Sequence, residues 1–153
     1  MEISARTIDD VVSMVLDELG RNGNAATAPV TDGLYDTVDE AVASAVEAQR
    51  RLIAMTLESR QKIIEAIRAA MLANNETMSA LAVRETTLGR YEDKLRENVL
   101  CATKTPGTED ISPRAVSGDH GLMLLEFAPV GVIGALTPIT NPTGTLIHNS
   151  ISM

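Results

Sequence analysis

The sequence predicts an α/β chain with a helical front and, at its end, the opening of a strand–helix unit. Three observations carry this. Apolar residues recur at helical spacing through most of the stretch from Val38 to Ala102. After Gly121 the period changes, and Leu122–Phe127 and Val130–Leu136 form short apolar runs bounded by Pro, Gly and Thr. Asn141-Pro142 then follows, and proline suits the first turn of a helix.

The elements follow in order. Ile8, Val11, Val12, Val15, Leu16 and Leu19 fall at offsets of 0, 3, 4, 7, 8 and 11, one stripe of an amphipathic helix over residues 1–20. Thr7 suits its N-cap, and Gly20 sits where it should stop. Such a helix is too short for reliable stability alone in water, so its stripe must meet this protein's core or another protein. Residues 21–32 are rich in Gly, Asn, Ala, Thr and Pro and read as a linker. The main body begins near Gly33. Thr37 and Glu40 spell a capping box, and Val38, Ala41, Val42, Ala45, Leu52 and Ile53 continue the helix. A further helix starts near Thr56, buries Ile63, Ile64, Ile67 and Met71, and breaks at Asn74-Asn75. The next carries Met78, Leu81 and Ala82 and is expected to end at Gly89. Another spans about Tyr91 to Thr103, with Tyr91, Leu95, Val99 and Ala102 on one side, and stops at Thr105-Pro106-Gly107.

Thr108 to Gly121 reads as polar and irregular, and Leu122–Phe127 as a strand. Val130–Leu136 fits a strand buried on both faces, as in a parallel sheet. That strand needs neighbours on both sides and crossover units to supply them. One strand–helix unit is present, so the chain reads as truncated; the alternative is a compact helical domain with one hairpin.

Composition narrows the function classes. Net charge is −8 and no basic cluster offsets it, so a phosphate backbone is repelled. With no Trp, one Phe and two Tyr there are few platforms for stacking bases, and nucleic-acid binding is not expected. Arg50-Arg51 reads as a solvated helix face. Cys101 is the only cysteine, so no intrachain disulfide forms. No secretory signal is expected, and no apolar run reaches the roughly 18–20 residues that cross a membrane. The expected location is cytoplasmic.

The candidate chemistry lies in the turn Thr137-Pro138-Ile139-Thr140-Asn141-Pro142. It follows an apolar run and precedes a helix, where α/β folds bind phosphates and dinucleotides on free N–H groups. It is not G-x-G-x-x-G, since Gly131 and Gly134 lie upstream, and a plain strand–helix connection is the alternative. Cys101, mid-helix among apolar neighbours, reads as a structural cysteine. His120 and His148 are too few and too far apart for a metal site, and none is expected. The acidic set Glu85, Glu92, Asp93 and Glu97 interleaves with Arg84, Arg90, Lys94 and Arg96 as a surface ion-pair lattice.

Two blocks carry a family resemblance. Glu85-Thr86-Thr87-Leu88-Gly89-Arg90-Tyr91-Glu92-Asp93-Lys94, with Asn98 and Thr105-Pro106-Gly107, resembles the CoA-acylating aldehyde dehydrogenases. So does Ala128-Pro129-Val130-Gly131-Val132-Ile133-Gly134 running into Thr137–Thr143, the more specific block. The likeness covers residues 33–153 and points to the propionaldehyde and acetaldehyde dehydrogenases of bacterial microcompartments. Thr87 departs from it, at a position where the family often has glycine.

The resemblance implies an aldehyde dehydrogenase-like α/β fold: an N-terminal helical part plus the first strand–helix unit of a truncated Rossmann-like NAD-binding domain. It implies NAD as cofactor, coenzyme A as co-substrate, a short aldehyde (propanal or acetaldehyde) as substrate, and a homo-oligomer at full length. A cysteine thiolate attacks the aldehyde, a hydride leaves to NAD, and CoA releases the thioester. Thr137, Pro138, Ile139, Thr140 and Asn141 would lie beside the nicotinamide, with Thr140 where other aldehyde dehydrogenases place an oxyanion-binding Asn. That difference argues against a non-acylating member. The family's nucleophile lies beyond residue 153, and Cys101 does not match its motif, so the chain is expected to be an inactive N-terminal fragment. Residues 4–20 with the 21–32 linker resemble a helix that docks microcompartment enzymes to shell or cargo protein, placing the chain in the compartment lumen. The competing hypothesis is a non-catalytic helical binding module that docks through this helix. The module should fold cooperatively as given, whereas the enzyme fragment should expose apolar surface along its orphaned strand.

Overall fold

The structure is a computed structural model that describes residues 33–153. The helix and linker expected over residues 1–32 lie outside the described residues. The chain divides between Thr56 and Leu57 into two units.

The described part of the first unit is dominated by one helix, α1 (Val38–Ala54). It starts with the capping box that the sequence spells. Thr37 Oγ1 accepts from the Glu40 amide at 3.3 Å, and the Glu40 carboxylate accepts from the Thr37 amide at 3.2 Å. Each bond satisfies a backbone donor that the helix itself leaves unpaired. Glu47 pairs with both Arg50 and Arg51 on the solvated face expected for the two arginines.

The second unit holds helices α2 (Leu57–Ala73), α3 (Asn75–Thr86) and α4 (Tyr91–Lys104), and a 3-10 turn at Thr108–Ile111. Strands β1 (Arg114–Gly118) and β2 (Gly121–Leu125) follow, then helix α5 (Pro142–Ser152). The core is aliphatic. Ile64 of α2, Ala102 of α4, and Ile147 and Ile151 of α5 are buried, with Ile67, Met71, Met78 and Cys101 packed against them. The helical period of α2 brings Ile64, Ile67 and Met71 to that core. Of the four residues expected to be buried, Ile64 is, Ile67 and Met71 are partly so, and Ile63 does not join the cluster. α4 packs on α2, α3 and α5, and its fully buried Ala102 offers a methyl group where the helices meet.

The inward face of α4 differs from expectation. Val99 is exposed, and the buried residues are Lys94, Asn98 and Ala102. Polar side chains can turn inward only where partners replace water, and α3 and α5 supply them. The expected surface lattice therefore loses Lys94 to the interior, while Arg90 and Arg96 keep their exposed pairs with Asp93.

α3 ends at Thr86, short of Gly89. Thr86 Oγ1 donates to the Ala82 carbonyl at 2.7 Å and accepts from the Leu88 amide at 3.1 Å, which closes the helix locally. Thr87 then takes the left-handed conformation at φ 57°, the only described non-glycine residue with positive φ. A Cβ costs roughly 1–2 kcal/mol in that region. Glycine at this position would avoid the strain.

β1 and β2 pair antiparallel, from Arg114 opposite Leu125 to Gly118 opposite Gly121, across Asp119-His120. β2 falls within the expected strand, but β1 lies in the stretch read as irregular. Arg-Ala-Val-Ser-Gly has no period-2 apolar pattern, and the short turn fixes its register. The strand expected at Val130–Leu136 is not formed: the segment is irregular, with Val130 86% and Leu136 97% exposed. A parallel strand exists through its ladder to neighbours, and no described residue supplies that ladder. Apolar surface is nonetheless exposed here as the enzyme reading expects, at Leu122, Leu124, Phe127, Val130 and Leu136. α5 begins where Asn141-Pro142 predicts, with proline in its first turn.

Candidate functional site: a turn seated on a buried polar network

Thr137, Pro138, Ile139 and Thr140 are exposed and Asn141 is half-buried, so the five candidate residues form one accessible run before α5. The Asn141 amide donates to the Pro138 carbonyl at 3.3 Å and closes the turn. Asn141 occupies the N-cap of α5, yet its side chain makes no capping bond. It reaches to α4 instead, where Nδ2 donates to Glu97 Oε1 at 2.6 Å.

Lys94 completes this junction. Its Nζ donates to the Thr140 carbonyl at 2.9 Å and to Glu97 Oε2 at 3.1 Å, and lies 3.5 Å from Asn141 Oδ1. Three acceptors thus meet the three donors of an ammonium. The Lys94 side chain is 8% exposed, a depth at which an ammonium requires such partners. The Thr140 carbonyl is thereby held toward α4 while the residue itself stays exposed.

A second chain of bonds runs alongside. Thr143 Oγ1 donates to Asn98 Oδ1 at 2.8 Å, and Asn98 Nδ2 donates to Ser79 Oγ at 3.0 Å. Ser79 Oγ donates to Asn75 Oδ1 at 3.1 Å, and Asn75 Nδ2 donates to the Leu95 carbonyl at 3.0 Å. Asn75, Ser79 and Asn98 are buried. The chain ties the first turn of α5 to α4 and α3 by directed contacts, which fix geometry more sharply than apolar packing does. Gly144 leaves room for the Asn141 side chain: a Cβ there would lie 2.7 Å from Asn141 Nδ2 and 2.8 Å from Oδ1.

The other candidates take structural places. His148 Nδ1 lies 3.2 Å from Thr105 Oγ1, the satisfied side chain expected of it. Arg68 donates to the Ala102 carbonyl and, at 2.6 Å, to the Thr105 carbonyl, closing the C-terminal end of α4 where a cation is favoured. Gly107 lets the chain pass close to Ile64, so Thr105-Pro106-Gly107 is a packed joint. Cys101 is half-buried against the core. Burial first, and then the nearby Glu97 carboxylate, push its thiol above the ordinary cysteine range, which lowers its thiolate fraction at neutral pH. His120 is exposed at the hairpin tip. Among the described residues no three His, Cys, Asp or Glu gather to hold a metal ion.

Sequence reasoning found the turn and missed its seat: Lys94, Asn98, Ser79 and Asn75. A signal existed, since Lys94, Asn98 and Ala102 are spaced four apart on one helix face, and Lys94 and Asn98 both belong to the residues that carry the resemblance.

Comparison with known proteins identifies the family. Residues 20–152 match the aldehyde dehydrogenase family. The chain is 50% identical over 121 residues to an acetaldehyde dehydrogenase (acetylating) of Bilophila wadsworthia, covering 79% of this chain and 25% of that protein. It is similar to a Rhodopseudomonas palustris propionaldehyde dehydrogenase solved with bound CoA and an acylated cysteine. The TM-score there is 0.74 at 47% identity, over 80% of this chain and 28% of that one. It is also similar to a propionaldehyde dehydrogenase from the Clostridium phytofermentans fucose utilisation bacterial microcompartment. That match has a TM-score of 0.73 at 47% identity, over 78% of this chain and 28% of that one. The expected α/β, aldehyde dehydrogenase-like fold class stands on these likenesses. The chain spans 25% to 32% of the length of the first curated relatives it matches.

Proposed function

The chain belongs to the aldehyde dehydrogenase family, and we propose that it is the N-terminal part of a CoA-acylating enzyme that oxidises a short aldehyde. The aldehyde is acetaldehyde or propanal, the oxidant NAD, and the acyl acceptor coenzyme A. The observation that carries this reading is the 50% identity to an acetylating acetaldehyde dehydrogenase. The relatives favour it over a non-catalytic binding module.

In this reading residues 33–153 are the N-terminal part of the NAD-binding domain. Thr137, Pro138, Ile139, Thr140 and Asn141 face the cofactor. They fit that task, being an accessible turn at a helix N-terminus, whose first N–H groups have no partner within the helix. NAD supplies the hydride acceptor when bound. The chain's own contribution is to orient: the Thr140 hydroxyl donates toward the oxygen of the reacting carbonyl as negative charge develops on it, and the network beneath holds the turn in place. The nucleophilic cysteine is not Cys101, whose thiol is packed against the core. Residues 1–20 are a docking helix and 21–32 its tether, carrying the enzyme to a shell or cargo protein inside a bacterial microcompartment. A reporter fused to residues 1–22 tests this part; diffuse fluorescence in compartment-forming cells would contradict it.

The catalytic reading is tested by putting residues 33–153 in place of the corresponding segment of the Bilophila wadsworthia enzyme. The chimera should form NADH from acetaldehyde only when CoA is present. Thr140→Ala in it should lower kcat by about 10²–10³-fold, the effect of losing one oxyanion donor. An assembled chimera without CoA-dependent NADH formation would overturn the reading.

A further inference from the structure

We infer that Lys94 is a positioning residue for the Thr137–Asn141 turn: through the Thr140 carbonyl and the Asn141 side chain, its buried ammonium fixes the conformation in which the turn meets its ligand. The functional weight of this inference rests on the cofactor-facing reading of the turn; its geometric part does not.

Several features at this one point work against local stability, and the positioning task explains them together. The ammonium lies at the N-terminal end of α5, where the helix dipole is positive and favours an anion. Glu97 offsets that charge by bonding Lys94 at 3.1 Å. Asn141 is among the best N-cap residue types, yet it leaves the α5 amides uncapped and bonds Glu97. Gly144 is a poor helix former inside a helix, and its missing Cβ is the space that the Asn141 side chain occupies. Gly89, left-handed at φ +79°, likewise clears the lysine stem: a Cβ there would lie 3.3 Å from Lys94 Cε. An ion pair with its ammonium buried is weak ground for stability compared with apolar packing. At this site it fixes where the Thr140 peptide points.

The test uses the isotope-labelled 153-residue chain. The expected signature is a scalar coupling across the hydrogen bond from Lys94 Nζ to the Thr140 carbonyl carbon, with ammonium protons that exchange slowly. In Lys94→Met, exchange at the Asn141 and Thr145 amides should rise at least about tenfold while α3 amides stay within about twofold. Lys94→Arg, which keeps donors, should recover part of the protection. A freely exchanging ammonium with no coupling would overturn the inference, as would unchanged Asn141 and Thr145 exchange in Lys94→Met. If Lys94→Met does not fold, the coupling in the unaltered chain decides alone. In the chimera, Lys94→Met should lower kcat at least about tenfold with KM for the aldehyde within about threefold, and an unchanged kcat also counts against the inference. An inactive unaltered chimera would instead overturn the functional reading and leave the spectra to decide this one.

Discussion

The helical cluster α2–α5 and the stretch from Glu109 to Thr140 depart from the usual relation between polarity and burial in opposite ways. Every residue of that stretch is exposed, including Leu122, Leu124, Phe127, Val130 and Leu136. The cluster meanwhile buries Lys94, Asn98, Ser79 and Asn75. Hydrophobicity alone does not decide which groups leave water. A polar group is buried where every donor finds an acceptor, and an apolar run stays exposed where nothing covers it. The candidate turn spans both regimes, with its residues at the exposed edge and its anchors in the polar interior.

Substitutions can break or sharpen this contrast. The largest effect is expected from Ile147→Ala, which empties a fully buried position between α5 and the core. It should lower unfolding free energy by about 2–5 kcal/mol in urea titration. Asn98→Leu takes the acceptor from the Thr143 hydroxyl and one of two partners from Ser79, and should cost about 1–3 kcal/mol by the same assay. Thr87→Gly should go the other way, adding roughly 1 kcal/mol by relieving the left-handed threonine. Leu136→Ser, in the exposed stretch, should change stability by less than about 0.5 kcal/mol. A cost near that of Ile147→Ala would show that this segment is packed after all.

The same contrast separates what the sequence reveals from what it hides. The Thr37–Glu40 capping box, the Ile64, Ile67 and Met71 stripe and the start of α5 at Pro142 follow local rules, and each stands in the structure. A hydrophobic period treats every charge as solvated, and so places Val99 inside and Lys94 outside. Only partners from other helices, Glu97 aside, reverse that assignment. The strand at Val130–Leu136 and the missed β1 fail for a related reason, since strands depend on neighbours distant in sequence. The turn Thr137–Asn141 was legible as a strand–helix connection with proline at the helix start. Its seat was not, because Asn75, Ser79 and Asn98 meet Thr143 only after three helices have packed.

That seat is the central claim, and a double-mutant cycle across the Asn98–Thr143 bond at 2.8 Å tests it most directly. Unfolding free energies would be measured for the unaltered chain, Asn98→Ala, Thr143→Val and the pair. A directed contact that fixes the first turn of α5 should give a coupling of about 1–2 kcal/mol. A coupling near zero would mean that the two residues are neighbours without being joined, and that the buried chain does not fix the first turn of α5.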